Sequence, residues 1–129
     1  MIKGINHVGV VVKDVEQYAQ FLKTIIGAEV VETVPFPEAG QVSCLVKFGD
    51  SKYELMSPLG DEGVVGKFLA KNGEGFHHIS LLSDDFDVDV ADLEAKGVKI
   101  IGISESGGMR YAFTHPKTSG GILYEIAGK

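Results

Sequence analysis

The sequence predicts an α+β fold in which two repeated β-α-β-β-β modules form a curved mixed sheet. The main observation is a repeated spacing: His7 precedes Glu54 by 47 residues, and His78 precedes Glu125 by the same 47. The second pair lies 71 positions after the first. The residues around the two glutamates also agree, as Tyr53-Glu54-Leu55 and Tyr124-Glu125-Ile126. The repeat therefore indicates a duplicated unit.

Length and composition indicate how these modules are organised. A chain of 129 residues that is 44% hydrophobic can bury one core. We predict a single domain, residues 1–129, with modules at about 1–57 and 75–129. A loop at 58–63 and a short helix that begins at Val64 and is ended by Asn72-Gly73 would join them.

The first module begins with a predicted strand from His7 to Val12, rich in β-branched residues. Asp14 occupies the position of a helix N-cap, and Gln17 completes a pattern like the capping box. The helix has apolar residues at helical spacing that are expected to face the core: Val15, Tyr18, Ala19, Leu22, Ile25 and Ile26. Gly27 is typical of a left-handed helix end. Further strands are predicted at 28–33, 42–48 and 52–56.

The second module repeats this order. A strand at 78–82 precedes a cap at Asp84-Asp85 and a helix ended by Gly97. Strands follow at 98–103, 110–114 and 121–126. Residues 104–109 are predicted to form a flexible glycine-rich loop. They lack the Gly-Lys-Ser/Thr ending that binds phosphates.

Charge and cysteine usage exclude several classes of function. A net charge of −6 and a pI near 5.1 argue against binding to nucleic acid, although a local basic pocket for an anionic substrate is compatible with them. The single cysteine, Cys44, allows no internal disulfide and is expected in the core. The apolar run near the N-terminus is too short for a signal peptide or membrane span. We therefore predict a soluble, cytoplasmic protein without membrane contact.

Two imidazoles and two carboxylates are a ligand set for a divalent metal ion. If the modules curve toward each other, His7, Glu54, His78 and Glu125 converge on one cleft. For any one of them alone, a hydrogen-bonded histidine or a solvated glutamate is the better interpretation, but the shared offset favours a metal cleft. Four protein ligands on a six-coordinate ion leave two adjacent sites for a substrate. Octahedral preference favours cobalt, manganese, nickel or magnesium over tetrahedral structural zinc. Among these ions we predict cobalt.

Other polar residues have more than one interpretation. His77 is expected on the opposite face of its strand from His78, where it packs rather than binds metal. His115 either stabilises a turn or contacts substrate, and Lys117 is either a solvated lysine or a partner for a phosphate. Arg110, the only arginine, is either a carboxylate clamp or a surface charge at the end of a strand.

The arrangement resembles the vicinal oxygen chelate superfamily and, within it, the methylmalonyl-CoA epimerase family over nearly the whole chain. The similar stretches are residues 5–12, 53–59, 73–79 and, most specifically, 115–126 (His-Pro-Lys-Thr-Ser-Gly-Gly-Ile-Leu-Tyr-Glu-Ile). The resemblance implies that His7, Glu54, His78 and Glu125 are metal ligands. It also implies a homodimer that acts on a small-molecule acyl-CoA.

The implied reaction interconverts the 2R and 2S forms of methylmalonyl-CoA by α-proton abstraction through a metal-stabilised enolate. Glu54 and Glu125 are the candidate catalytic residues, because one of them could loosen from the metal and transfer a proton. Some epimerases carry a catalytic glutamate where this sequence has Ser43, with Gln41 nearby, so the second proton-transfer group is left open.

Other members of the superfamily suggest alternatives. Glyoxalase I (lactoylglutathione lyase), acting on a glutathione hemithioacetal, is the main one, since it usually has glutamate where Glu54 lies and epimerases often have glutamine. A non-catalytic binding module is a second alternative, but such modules generally lack the full ligand set, so the four residues present here count against it. Ring-cleaving iron dioxygenases are a third alternative and are less favoured, because they use two histidines and one carboxylate and keep more open positions on the ion.

Overall fold

The computed structural model describes residues 1–129 and divides into two compact units. The first unit is Val8–His77, and the second unit is Met1–His7 together with His78–Lys129. The elements are β1 Ile2–Val11, α1 Val15–Phe21, β2 Glu29–Phe36, β3 Gln41–Phe48, β4 Ser51–Pro58, α2 Val64–Asn72, β5 Gly75–Ser83, α3 Phe86–Ala95, β6 Ile100–Ser106, β7 Met109–Thr114 and β8 Tyr124–Gly128. The order β-α-β-β-β occurs twice around α2, so the predicted α+β class is confirmed.

In the first unit the strand order is β2-β3-β4-β1. β3 is antiparallel to both of its neighbours, whereas β4 is parallel to β1, with Gly9 opposite Glu54. Asp14 caps α1 as predicted, because its carboxylate accepts from the N–H groups of Glu16 and Gln17. The core between α1 and the sheet contains Val10, Val12, Val15, Ala19, Leu22, Ala28, Cys44, Val46 and Leu55. A smaller cluster joins α2 to Val11 and Met56.

The second unit has the corresponding order β5-β8-β7-β6, with the first residues of β1 beside β5. β8 is parallel to β5, with Ser80 opposite Glu125, and antiparallel to β7. Asp85 caps α3 by accepting from the N–H of Val88. The core between α3 and this sheet contains Phe86, Val90, Ala112 and Ile126. Both units therefore contain a mixed sheet in which one parallel pair aligns a histidine-bearing strand with a glutamate-bearing strand.

The end of the first helix differs from the prediction. A π-helical turn, Leu22–Ile26, replaces the last α-helical turn before Gly27, which has the expected left-handed φ of 81°. The π turn contains an additional residue and rotates the following side chains around the axis. Ile25 and Ile26 are consequently 66% and 59% exposed. The prediction that they face the core is wrong.

The glycine-rich segment is a hairpin rather than the predicted loop. β6 continues to Ser106, β7 begins at Met109, and Gly107 and Gly108 alone make the turn with φ values of 59° and 80°. Positive φ at both central residues is what a tight hairpin turn requires.

The bounds of two strands also differ from the prediction. Gly120 and Gly121 have left-handed φ values of 74° and 85°, and β8 starts only at Tyr124. In addition, β2 extends three residues beyond its predicted end, to Phe36.

None of the helices has the length and apolar character needed to span a membrane.

Candidate metal centre

Three of the four predicted ligands meet within the second unit. The Nε2 atoms of His7 and His78 are 3.1 Å apart, and Nε2 of His7 is 3.6 Å from Oε1 of Glu125. His78 is 4% exposed and Glu125 8%, while the His7 side chain is 12% exposed. These groups are therefore removed from most of the solvent, where a charged carboxylate needs compensating partners.

The backbone explains why these side chains meet. His78 and Ser80 project from the same face of β5, because side chains alternate along a strand. Parallel pairing with β8 sets Glu125 opposite Ser80. The His7 ring contacts the His78 ring edge to face, with centroids 5.3 Å apart. Three separate segments of the chain thus supply the three donor groups.

The donor geometry fits a divalent ion. Adjacent ligands of an octahedral ion, each at about 2.1 Å, lie about 3.0 Å apart, against about 3.4 Å for a tetrahedral ion. The observed Nε2–Nε2 separation of 3.1 Å lies between these two values. The Glu125 carboxylate oxygen, 3.6 Å from one of these nitrogens, is near enough to serve the same ion. The same separation of the two nitrogens is also within hydrogen-bond distance for the two imidazoles.

Neighbouring groups hold the three ligands in place. The side-chain amide nitrogen of Asn6 lies 3.2 Å from Nδ1 of His7 and fixes the plane of that ring. Phe113 contacts the His78 ring edge to face, with centroids 5.7 Å apart. Ser80, which is completely buried, donates its hydroxyl to Oε1 of Glu125 at 2.8 Å. Sequence reasoning missed Ser80, although its position two residues after His78 was an available signal.

Glu54, the fourth predicted ligand, belongs to the first unit. It is half-buried in β4, between Leu45 of β3 and Gly9 of β1. Gly9 lies two residues after His7, just as Ser80 lies two residues after His78. Glu54 therefore has the same place along its parallel strand pair as Glu125 has along the other.

The structure also locates the two remaining histidines. As predicted, His77 packs, with its ring edge to face on Phe68 at 4.9 Å between centroids. Burial lowers the pKa of His77, and the negative charge of Glu54 partly opposes that shift. Nδ1 of His115 accepts from the N–H of Lys117 at 3.2 Å and caps the 3₁₀ turn Pro116–Thr118. Of its two interpretations, the turn-stabilising one has direct support.

Arg110 does form a carboxylate clamp, but to the chain itself. Its guanidinium binds both oxygens of Asp87, at 2.7 and 3.1 Å, and lies over the ring of Phe86 at 4.7 Å. The guanidinium consequently lowers the pKa of Asp87. This pairing ties β7 to the start of α3.

Two residues of β3 complete the description. Cys44 is fully buried in the core of the first unit, as predicted. Ser43 is 8% exposed, and its hydroxyl accepts a hydrogen bond from the Gln41 amide at 3.1 Å.

Comparisons with known proteins agree on one superfamily. Residues 6–113 match the model of the Glyoxalase/Bleomycin resistance protein/Dioxygenase superfamily. The chain is 41% identical over 128 residues to the mitochondrial methylmalonyl-CoA epimerase of Homo sapiens, covering 95% of this chain and 72% of that protein. It is 32% identical to the ethylmalonyl-CoA/methylmalonyl-CoA epimerase of Cereibacter sphaeroides, covering 98% of each.

A solved structure is similar over the full length. It is a methylmalonyl-CoA epimerase in complex with methylmalonyl-CoA and NH4+, 34% identical to this chain. The superposition has a TM-score of 0.91 and covers 100% of this chain and 96% of the other.

Proposed function

The chain belongs to the Glyoxalase/Bleomycin resistance protein/Dioxygenase superfamily, and we propose that it is a metal-dependent isomerase that interconverts the 2R and 2S forms of methylmalonyl-CoA. The observation that carries this proposal is the similarity to methylmalonyl-CoA epimerases over 95–98% of the chain. The buried cluster of His7, His78 and Glu125 supports it, because the reaction needs a site that stabilises negative charge.

The reaction moves one proton. The α-carbon of the substrate lies between a thioester carbonyl and a carboxylate, so loss of its proton leaves negative charge on oxygen. A divalent ion would supply Lewis-acid stabilisation of that charge. Return of the proton to the opposite face of the planar intermediate inverts the centre, which requires proton transfer on both faces.

We propose His7, Glu54, His78 and Glu125 as the residues that hold the ion. The donor separations within the second unit support His7, His78 and Glu125. For Glu54 the support is its equivalent position opposite Gly9, two residues after His7. Two carboxylates and two neutral imidazoles would leave a doubly charged ion electrically compensated in a buried site.

The protonation roles belong to the same proposal. Glu54 or Glu125 would transfer one proton, since a carboxylate can accept a proton and return it. The second transfer group is unassigned, because Ser43 is not basic enough to take an α-proton unaided. Cobalt as the native ion, a homodimer and a cytoplasmic location are further predictions from the sequence.

The decisive experiment is proton exchange in deuterated water. Protein loaded with Co²⁺ is incubated with methylmalonyl-CoA, and the α-proton is followed by NMR. We expect metal-dependent loss of the α-proton signal, and little exchange in chelator-treated protein. An absence of exchange together with turnover of methylglyoxal and glutathione would replace this proposal with glyoxalase I.

A further inference from the structure

The hydroxyl of Ser80 and the Glu125 carboxyl group form a buried hydrogen bond. Ser80 has no exposed surface, and its Oγ donates to Oε1 of Glu125 at 2.8 Å. The same Oε1 is the oxygen 3.6 Å from Nε2 of His7. The same carboxylate oxygen therefore accepts the hydrogen bond from Ser80 and lies beside His7. Because the site is buried, water has little access to replace the serine hydroxyl.

The residue at the matching position of the first unit cannot make this contact. Ser80 lies opposite Glu125 in the β5–β8 pair, and the equivalent residue opposite Glu54 in the β1–β4 pair is Gly9. Glycine has no side chain with which to donate a hydrogen bond. The duplicated backbone therefore does not require a hydroxyl here, and Ser80 has a role specific to the Glu125 side.

We infer that Ser80 is a positioning residue that holds the Glu125 carboxylate in the conformation that binds the divalent ion. The inference rests on the proposed function only in assuming that Glu125 is a ligand. A glutamate side chain loses rotamer freedom when it binds, and a fixed neighbour that orders it beforehand reduces that cost. A carboxylate has about four lone-pair positions, so one hydrogen bond from Ser80 leaves the others available to an ion.

Ser80 therefore keeps the Glu125 carboxylate in its position for binding the ion. Residues that orient a metal ligand commonly change metal affinity by about 10- to 100-fold when they are removed. Ser80→Ala removes the hydroxyl group and only a small side-chain volume, so the strand and its pairing should persist. Ser80→Thr keeps the hydroxyl and suits a strand.

The test is a titration of metal-free protein with Co²⁺ alone, followed by calorimetry and by the visible absorption of the bound ion. For Ser80→Ala we expect the Kd for Co²⁺ to rise about 10- to 100-fold with a changed absorption band, while Ser80→Thr stays close to the parent. Ser80→Ala binding as tightly as the parent, with the same spectrum, would overturn the inference.

Ser83→Ala is the matched control. Ser83 lies on the same strand, and its hydroxyl also donates to a buried carboxylate, that of Asp89. This variant should bind Co²⁺ like the parent. An equal loss of affinity in Ser83→Ala would mean that general destabilisation causes the effect, which also overturns the inference.

The same titration separates this inference from the proposed function. A parent protein that binds no Co²⁺ would overturn both. A parent that binds Co²⁺ and exchanges the α-proton, while Ser80→Ala is unaffected, would overturn the role of Ser80 alone. A parent that binds Co²⁺ without exchange would remove the epimerase proposal, and the Ser80→Ala affinity would still decide the positioning role.

Discussion

In the first unit Glu54 of β4 lies opposite Gly9 of β1, and in the second unit Glu125 of β8 lies opposite Ser80 of β5. Both pairs are parallel, and both place the glutamate level with the residue two positions after a histidine. Only the second unit provides a hydroxyl at that point. The two units therefore share the strand register that positions the carboxylates, whereas the residue opposite each carboxylate differs.

The cores of the two units differ in a related way. Leu55 and Ile126 each follow one of the glutamates and are 0% and 1% exposed. Leu55 belongs to a cluster of nine buried residues, whereas Ile126 belongs to a cluster of four. Ile126 also borders an apolar cavity of about 240 Å³ beside Leu81 and Leu93. Leu55 and Ile126 are therefore packed differently, since Leu55 lies in the larger buried cluster and Ile126 lies beside open space.

The largest effect is expected from the two glutamates. Glu54→Gln and Glu125→Gln keep the size of the side chain and remove its basicity, so α-proton exchange should fall by about 10²- to 10⁴-fold for the residue that transfers the proton. NMR of metal-saturated variants in deuterated water measures this. Full exchange in either variant would exclude that residue as the base. Glu105→Gln, at an exposed position in β6, serves as the control and should exchange at the parent rate.

Core truncations should expose the difference in packing. Leu55→Ala should lower the free energy of unfolding by about 2–5 kcal/mol, the usual range for a buried leucine. Ile126→Ala should cost less, because the side chains around the adjacent cavity have room to rearrange. Denaturant unfolding of the metal-free proteins compares them. Equal losses, or a larger loss at Ile126, would contradict the difference in packing.

Helix caps provide a smaller contrast at equivalent positions. Asp14 accepts from two backbone N–H groups, at 3.0 and 3.1 Å, whereas Asp85 accepts from one, at 3.2 Å. Replacement of a cap by alanine costs about 0.5–2 kcal/mol, and we expect Asp14→Ala to lie higher in that range than Asp85→Ala. Thermal and urea unfolding measure both. Asn replacements at each site should restore most of the loss.

The smallest effect should come from the ion pair of the second unit. The guanidinium of Arg110 lowers the pKa of Asp87 from its ordinary value of 3.8. A lowered carboxyl pKa adds stability above the unfolded-state value, and that stability is lost as pH falls through the lowered folded-state value. Asp87→Asn should therefore be less stable than the parent at pH 7, with a difference that shrinks below about pH 3.8.

A double-mutant cycle isolates this pair. Unfolding free energies of Asp87→Asn, Arg110→Gln and the double variant give the coupling at each pH. The coupling should be small, because Asp87 is exposed, and should decrease with added salt. A coupling that is constant from pH 7 to pH 2 would rule out the ion pair as its source.

The amino-acid sequence was sufficient to predict the repeat, the order of the elements and the four candidate ligands. Local chemistry is sufficient for the helices. Asp14 and Asp85 cap the helices that follow them, and Gly27 ends its helix by adopting a positive φ. Strand alternation was enough to separate His77 from His78.

The contacts between side chains around the candidate site depend on the folded chain. The contact between Ser80 and Glu125 joins strands 45 residues apart, and the pairing of Arg110 with Asp87 spans 23. Such contacts depend on strand register and helix placement, which no local pattern encodes. The exposure of Ile25 and Ile26 likewise follows from a single π turn. Local residue preferences thus determined the elements, whereas packing over long sequence distances determined the surroundings of the candidate site.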